Sequence, residues 1–313
     1  MAQGLAVVTA VATLILILFG GLVTNTGSAL AVPDWPTTFG QNMFLYPWSQ
    51  MVGGVFYEHS HRLIGAAVGL LTLALAAALW PAGSWLRGLG LVAVAAVCVQ
   101  GLLGGLRVVL LNEALAILHG CLAQAFFALI VSIAFLTSPH AAAAVRGVDA
   151  TSRALAIGAV ALVYLQIVFG AFLTHAGWLD VHIAGALLVF AVVPVVTARL
   201  WRSGDPVAGP VARLLLLLLG VQLLLGVGSY LSRFTPIWIP GGQLTMLMVP
   251  VAHRLVGSLI LGATVVLAVR AGHDFHGLAV AGGGPSPATA CGSHDVGPAG
   301  EPVPSRLAAR LSG

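Results

Sequence analysis

Eight apolar runs, each about the length of a membrane crossing, constrain this 313-residue chain more than any other feature. A membrane helix needs about 20 mostly apolar residues to span the hydrocarbon core. Such runs lie near residues 5–24, 56–80, 88–110, 114–137, 154–174, 181–200, 211–231 and 247–270. The first run is long and its flank uncharged, so it reads as a span rather than a cleaved signal. Charged residues make up 7% of the chain, against about 25% in soluble domains. A soluble domain is excluded, and so is a disordered chain, which needs low hydrophobicity and high charge. The expected fold is an all-α polytopic membrane protein, with eight transmembrane helices forming two pseudo-symmetric four-helix bundles. From about residue 271 the chain turns to Gly, Pro, Ala and Ser, the composition of a disordered tail.

The basic residues are 13 arginines, with no lysine. A formal charge of +4 gives no electrostatic footprint for nucleic acid. Cys98, Cys121 and Cys291 are too few and too scattered for a disulfide framework or a zinc site. Arginine placement sets orientation. Arg87, Arg146, Arg153, Arg199, Arg202, Arg213, Arg270, Arg306 and Arg310 fall on one side of the spans. Arg62, Arg107, Arg233 and Arg254 fall on the other. The richer side is cytoplasmic by this rule, which puts both termini there.

The second half echoes the first. The third run carries Gln100-Gly101-Leu102-Leu103-Gly104, the fifth Gln166-Ile167-Val168-Phe169-Gly170 and the seventh Gln222-Leu223-Leu224-Leu225-Gly226. The first has Leu16 in the glutamine position and ends the motif at Gly20. Small residues let helices approach, and a buried amide needs a partner inside the bundle. Helix packing and the lining of a ligand cavity both account for this pattern. The even runs carry histidines instead. The second opens Glu58-His59-Ser60-His61-Arg62, the fourth holds His119-Gly120, the sixth His182 and the eighth His253-Arg254. The repeat therefore divides the chain into an N-terminal unit, residues 1–140, and a C-terminal unit, residues 150–270, followed by the tail, 271–313.

All four even runs travel inward from the outer face, so His61, His119, His182 and His253 share one depth near the outer leaflet. An ionisable group inside a membrane costs about 2.5–3.5 kcal/mol for the charged types and marks a functional site by default. Zinc would call for thiolate or carboxylate help and tetrahedral convergence. Paired histidines on facing helices of a bundle suit the axial positions of a haem iron. The duplication then gives two haem sites, His61 with His119 and His182 with His253. Arg62, Arg107, Arg233 and Arg254 sit where haem propionates would want guanidinium partners; interfacial snorkelling is the competing account. Glu58 lies three residues before His61 and on the same helix face. The corresponding positions in the second unit are Leu179 and Pro250, so only one site has a carboxylate beside it.

These residues resemble the haem A synthases. The resemblance rests on Thr26-Gly27-Ser28-Ala29-Leu30-Ala31-Val32-Pro33-Asp34-Trp35-Pro36, on Glu58-x-x-His61-Arg62, and on His119, His182 and His253-Arg254, over residues 5–270. It implies oxidation of a methyl group on haem O, through an alcohol, to the formyl group of haem A for terminal oxidase assembly. It also implies that His61 and His119 ligate the substrate haem, that His182 and His253 ligate the iron of a resident haem b, and that Glu58 is catalytic. Glu58 would act as a base or capture a cationic methyl carbon, and whether a histidine dissociates in turnover stays open. Implied partners are haem O itself, the haem O synthase, oxidase assembly factors, an electron donor and membrane lipid, with a homo-oligomer as a further option. The implied location is the plasma (inner) membrane of a prokaryote, with the haem sites toward the outer leaflet.

Many members of that family carry two cysteines in the first outer loop. Val32 and Thr38 occupy those positions here, so this chain has no thiol there to use; the loop through Gly40-Gln41-Asn42-Met43-Phe44 would cover the pocket instead. A non-catalytic dihaem b-type electron-transfer cytochrome is the alternative, and it leaves the lone Glu58 unexplained. Among the other histidines, His59 is expected at the outer interface, His175 near a propionate and His140 in a cytoplasmic loop. His273, His276 and His294, with Cys291, fall in or near the tail.

Overall fold

The computed structural model describes residues 1–237 and 240–272. The tail from 273 onward, with Arg306, Arg310, His273, His276, His294 and Cys291, lies outside the described residues. Among the described residues eight helices are long and apolar enough to cross a membrane, so the chain is a multi-pass membrane protein. They are α1 (Ala2–Asn25), α2 (Gly54–Leu79), α3 (Ser84–Leu110), α4 (Glu113–Leu136), α5 (Ala150–Ala176), α6 (Leu179–Arg202), α7 (Ala208–Phe234) and α8 (Gly242–Ala271). Polar residues close several of the helix ends. Asn112 accepts from the Ala114 amide at 2.8 Å to start α4, and Asp149 accepts from the Ser152 amide at 2.7 Å to start α5. Gly177, left-handed at φ 74°, ends α5 with its N–H on Leu173 O, a turn that a side chain would strain.

Consecutive helices pack in two closed cycles: α1 to α2, α3, α4 and back to α1, then α5 to α6, α7, α8 and back to α5. The cycles meet where α8 touches α1 and α4, and where α4 touches α5. This pattern is compatible with two pseudo-symmetric bundles. Each has its own apolar core, around Val68, Leu75, Phe126 and Ile130 in the first and Val163, Val193, Leu215 and Leu261 in the second. Both cores occupy the halves of the helices remote from the histidines. Leucines such as Leu70, Leu187, Leu217 and Leu224 point outward, as lipid contact requires.

Polar contacts join the units at both ends of the helices. At the histidine end, Asn25 on α1 donates to Met246 O and Leu247 O of α8, at 3.3 and 2.6 Å. Pro250 lacks the N–H that would have bonded Met246 O, so Asn25 satisfies a carbonyl the proline leaves open. At the opposite end, Arg270 and Asp205 form an ion pair at 2.7 Å with both side chains fully buried. Arg270 also donates to His140 O, Ala143 O and Ala144 O in the connection between the units. Burial acts to raise the Asp205 pKa, but Arg270 and the amides of Ala208, Arg146 and Val207 outweigh it and hold its carboxyl at about 2.

Candidate functional site

The sequence pattern becomes two matching pairs of rings. His61 faces His119 with centroids 6.3 Å apart and planes at 76°; His182 faces His253 at 6.3 Å and 74°. Each ring rests against the glycine that closes the motif on the preceding helix. A Cβ at Gly20, Gly104 or Gly226 would lie 3.2 Å from Cε1 of His61, His119 or His253, and one at Gly170 would lie 3.3 Å from that of His182. Only glycine leaves the rings in place. The motif glutamines complete the support: Gln100 donates to His119 O at 3.1 Å, Gln166 to His182 O at 2.9 Å, and Gln222 lies 3.3 Å from His253 Nε2. At His61, Leu16 stands where the other three pairs have glutamine.

A centroid separation of 6.3 Å leaves room for one metal atom between two imidazoles, whose metal–nitrogen bonds run about 2.0–2.1 Å. Two opposed imidazoles alone are a poor zinc site, which takes at least three protein ligands. Among the described residues no group of three or more His, Cys, Asp and Glu could hold a metal. A haem supplies the remaining ligands from its own macrocycle, so the donor set fits haem. Buried polar atoms without partners also gather here: Nδ1 of His61 and His253, and Oε1 of Gln100, Gln166 and Gln222. Such orphans are costly unless something completes the site.

Glu58, 4% exposed, sits beside the first pair only. Its Oε2 accepts from the Val32 amide at 3.0 Å, and its Oε1 from Arg62 Nη2 at 2.8 Å. Arg62 also donates to Val32 O at 2.9 Å, Asp34 O at 2.7 Å and Thr37 O at 3.1 Å. Four of its five N–H donors are therefore engaged with Glu58 and the first loop. The loop is fixed elsewhere too. Asp34 accepts from the Thr37 hydroxyl and, at 2.8 Å each, from the amides of Phe39 and Gly40. Burial acts to raise the Asp34 pKa, and these donors outweigh it and lower it. Trp35 packs on α3 at Gly105, where a Cβ would overlap the indole, one residue past the glycine that cradles His119.

Three other arginines stand at the same end. Arg107 closes α3, Arg233 closes α7, and Arg254 follows His253 on α8. None of their guanidiniums makes a hydrogen bond or ion pair among the described residues. Arg107 and Arg233 line a common cavity of about 350 Å³ together with Thr24, Glu113, Thr174 and His175.

The family profile of COX15-CtaA, described as cytochrome oxidase assembly protein, matches residues 3–179, more than half of the chain. The chain belongs to the cytochrome oxidase assembly protein family. The matched stretch holds α1–α5, and so Glu58, His61 and His119. Among curated relatives, it is similar to the heme A synthase of Shouchella clausii, 37% identical over 109 residues, 34% of this chain and 35% of the relative. The heme A synthase of Alkalihalophilus pseudofirmus is 32% identical over 136 residues, 42% of this chain and 44% of the relative. That of Bacillus licheniformis is 29% identical over 181 residues, 55% of this chain and 58% of the relative. The matches thus span from about a third to just over half of the relatives' length.

In this family member the structure brings His61 together with His119 and His182 with His253, and places Glu58 and Arg62 in one ion pair. His59 departs from its expected interfacial position: it is 1% exposed, with Nδ1 3.1 Å from the Thr38 hydroxyl and its ring 5.2 Å from Tyr46. The folded loop covers it, which helical position alone does not reveal. His175 meets Glu113 at 2.8 Å, a contact between residues far apart in the chain.

Proposed function

We propose that this protein is a haem A synthase, oxidising a methyl group of haem O through an alcohol to the formyl group of haem A for terminal oxidase assembly. The observation that carries this reading is two histidine pairs of matching geometry, of which one alone has a buried carboxylate. A pair of equivalent electron-transfer haems would call for no such difference. The family and the heme A synthase relatives point the same way.

In this reading His61 and His119 hold the substrate haem O, and His182 and His253 hold a resident haem b. When bound, haem b supplies one-electron transfer beside the substrate site. The protein's own residues do the rest. The glycine cradles and glutamines fix ring orientation before a haem arrives, which lowers the ordering cost of binding. Glu58 is held in place by Arg62 and the Val32 amide, and each carboxylate oxygen keeps a second lone pair with which to take a proton or engage a cationic carbon. Arg62 and Trp35 hold the first loop over this end of α2 and α3, which restricts water near the reacting edge. Arg107, Arg233 and Arg254 receive propionates; Arg62 acts on Glu58 and the loop.

The arginine distribution supports a reading with both termini in the cytoplasm and the histidine end toward the outer leaflet of a prokaryotic plasma membrane. Haem O synthase, oxidase assembly factors and an electron donor are the partners this role requires. Pigment analysis of the purified protein from cells that make haem O tests the proposal. Haem B together with haem O or haem A is expected; haem B alone would contradict it.

A further inference from the structure

Arg107, Arg233 and Arg254 gather where the two units meet. In the cavity that Arg107 and Arg233 share, Thr24, Arg107 and Glu113 come from the first unit, and Thr174, His175 and Arg233 from the second. The one carboxylate of this lining, Glu113, is taken by His175 at 2.8 Å and not by either arginine. Arg254 also crosses the boundary. Its guanidinium packs on α1 of the first unit, where a Cβ at Gly21 would lie 3.4 Å from Nη1, and it is near enough to Arg233 for their charges to interact. The three guanidiniums therefore stand along the boundary between the units with no acidic partner among the described residues. Like charges repel, and an anion between them offsets that repulsion.

We propose that Arg107, Arg233 and Arg254 form a single carboxylate site shared by both units, which takes a propionate from the haem of each. This rests on the haem reading of the two histidine pairs and goes beyond it, since the repeat by itself implies two private sites. Guanidinium forks are suited to this because each binds a carboxylate through two parallel N–H groups. Each haem is then held in part by an arginine of the other unit.

Haem release from the full-length chain tests this without reference to catalysis. In a His61→Ala/His119→Ala background only the second-unit haem remains, and its transfer to excess apomyoglobin is timed. Arg107→Gln, a change in the first unit, is expected to speed release about tenfold, the loss of roughly one charge-assisted contact. Arg233→Gln and Arg254→Gln should do the same. Arg107→Lys, which keeps the charge without the fork, should fall between, and it serves as the test if the glutamine variant does not fold. Arg87→Gln, at the opposite end, should release haem at the parent rate. Release unchanged by either Arg107 substitution, but faster with Arg233→Gln and Arg254→Gln, would overturn the shared site and leave the haem reading intact. A background protein that folds yet binds no haem would overturn the haem reading itself.

Discussion

The two units hold their histidines alike and surround them differently. In both, a ring pair at 6.3 Å rests on glycines from the preceding helices. Around His61 and His119 there are also a buried glutamate, an arginine tied to it and a loop folded across both. Around His182 and His253 the positions matching Glu58 are Leu179 and Pro250, and Arg254 carries no acid partner among the described residues. In the proposed reading the shared part is what any haem needs, and the added part is what a reaction needs. A duplication would then have kept the ligand geometry and confined chemistry to one copy.

The sharpest break of this comparison is Glu58→Gln. Loss of a positioned acid–base group costs about 10²–10⁴-fold in rate, so haem A formed per bound haem O should fall by at least about 100-fold. Haem content in both units should be retained, and Leu179→Glu should give the second unit no activity. Haem A output at the wild-type level would remove Glu58 from the mechanism.

The comparison also assumes that the units stay together, and Asp205→Asn tests their joint. Removing one partner of a buried pair costs about 3–5 kcal/mol, which should appear as a large fall in thermal midpoint. Because the Asp205 carboxyl is depressed to about 2 in the fold, its contribution is complete above the unfolded carboxylate value near 3.9. It is lost as pH falls from about 4 toward 2, and the Asp205→Asn variant should lack that part of the acid sensitivity. An unchanged midpoint would show that the helices alone hold the units together.

Gly104→Ala and Gly170→Ala perturb one unit each. The added Cβ meets a histidine ring at 3.2 or 3.3 Å, closer than ordinary contact, so the ring must shift by tenths of an ångström. About tenfold faster haem loss from the altered unit, with the other unit unchanged, is expected. Equal loss from both would mean that the sites are not separate. The smallest effect belongs to Thr38→Val, which removes the hydroxyl beside buried His59 and should cost about 1 kcal/mol. It should raise amide exchange in the first loop and leave the second unit's haem unchanged.

How far the sequence reveals all this follows from the range of the forces involved. The eight spans are legible because lipid demands long apolar runs and nothing else in the chain supplies them. The histidines and Glu58 are legible because ionisable groups are rare within such runs. The role of the glycine that ends each motif is not, since its partner ring sits on another helix and only the folded bundle joins Gly104 to His119. The same holds for the loop. Nothing local in Val32, Asp34 and Thr37 says that their carbonyls take up Arg62, so its bonds to the loop and to Glu58 become visible only in the fold. Arg107 and Arg233 appear as separate helix ends in sequence, and become one site only when α3 and α7 are placed in space.

The division of labour between the units is the central claim, and haem extraction from two double variants tests it most directly. Both are made in cells that produce haem O. His61→Ala/His119→Ala should yield haem B with neither haem O nor haem A. His182→Ala/His253→Ala should lose haem B while still binding haem O. The reverse pattern, or loss of the same haem from both variants, would contradict the assignment.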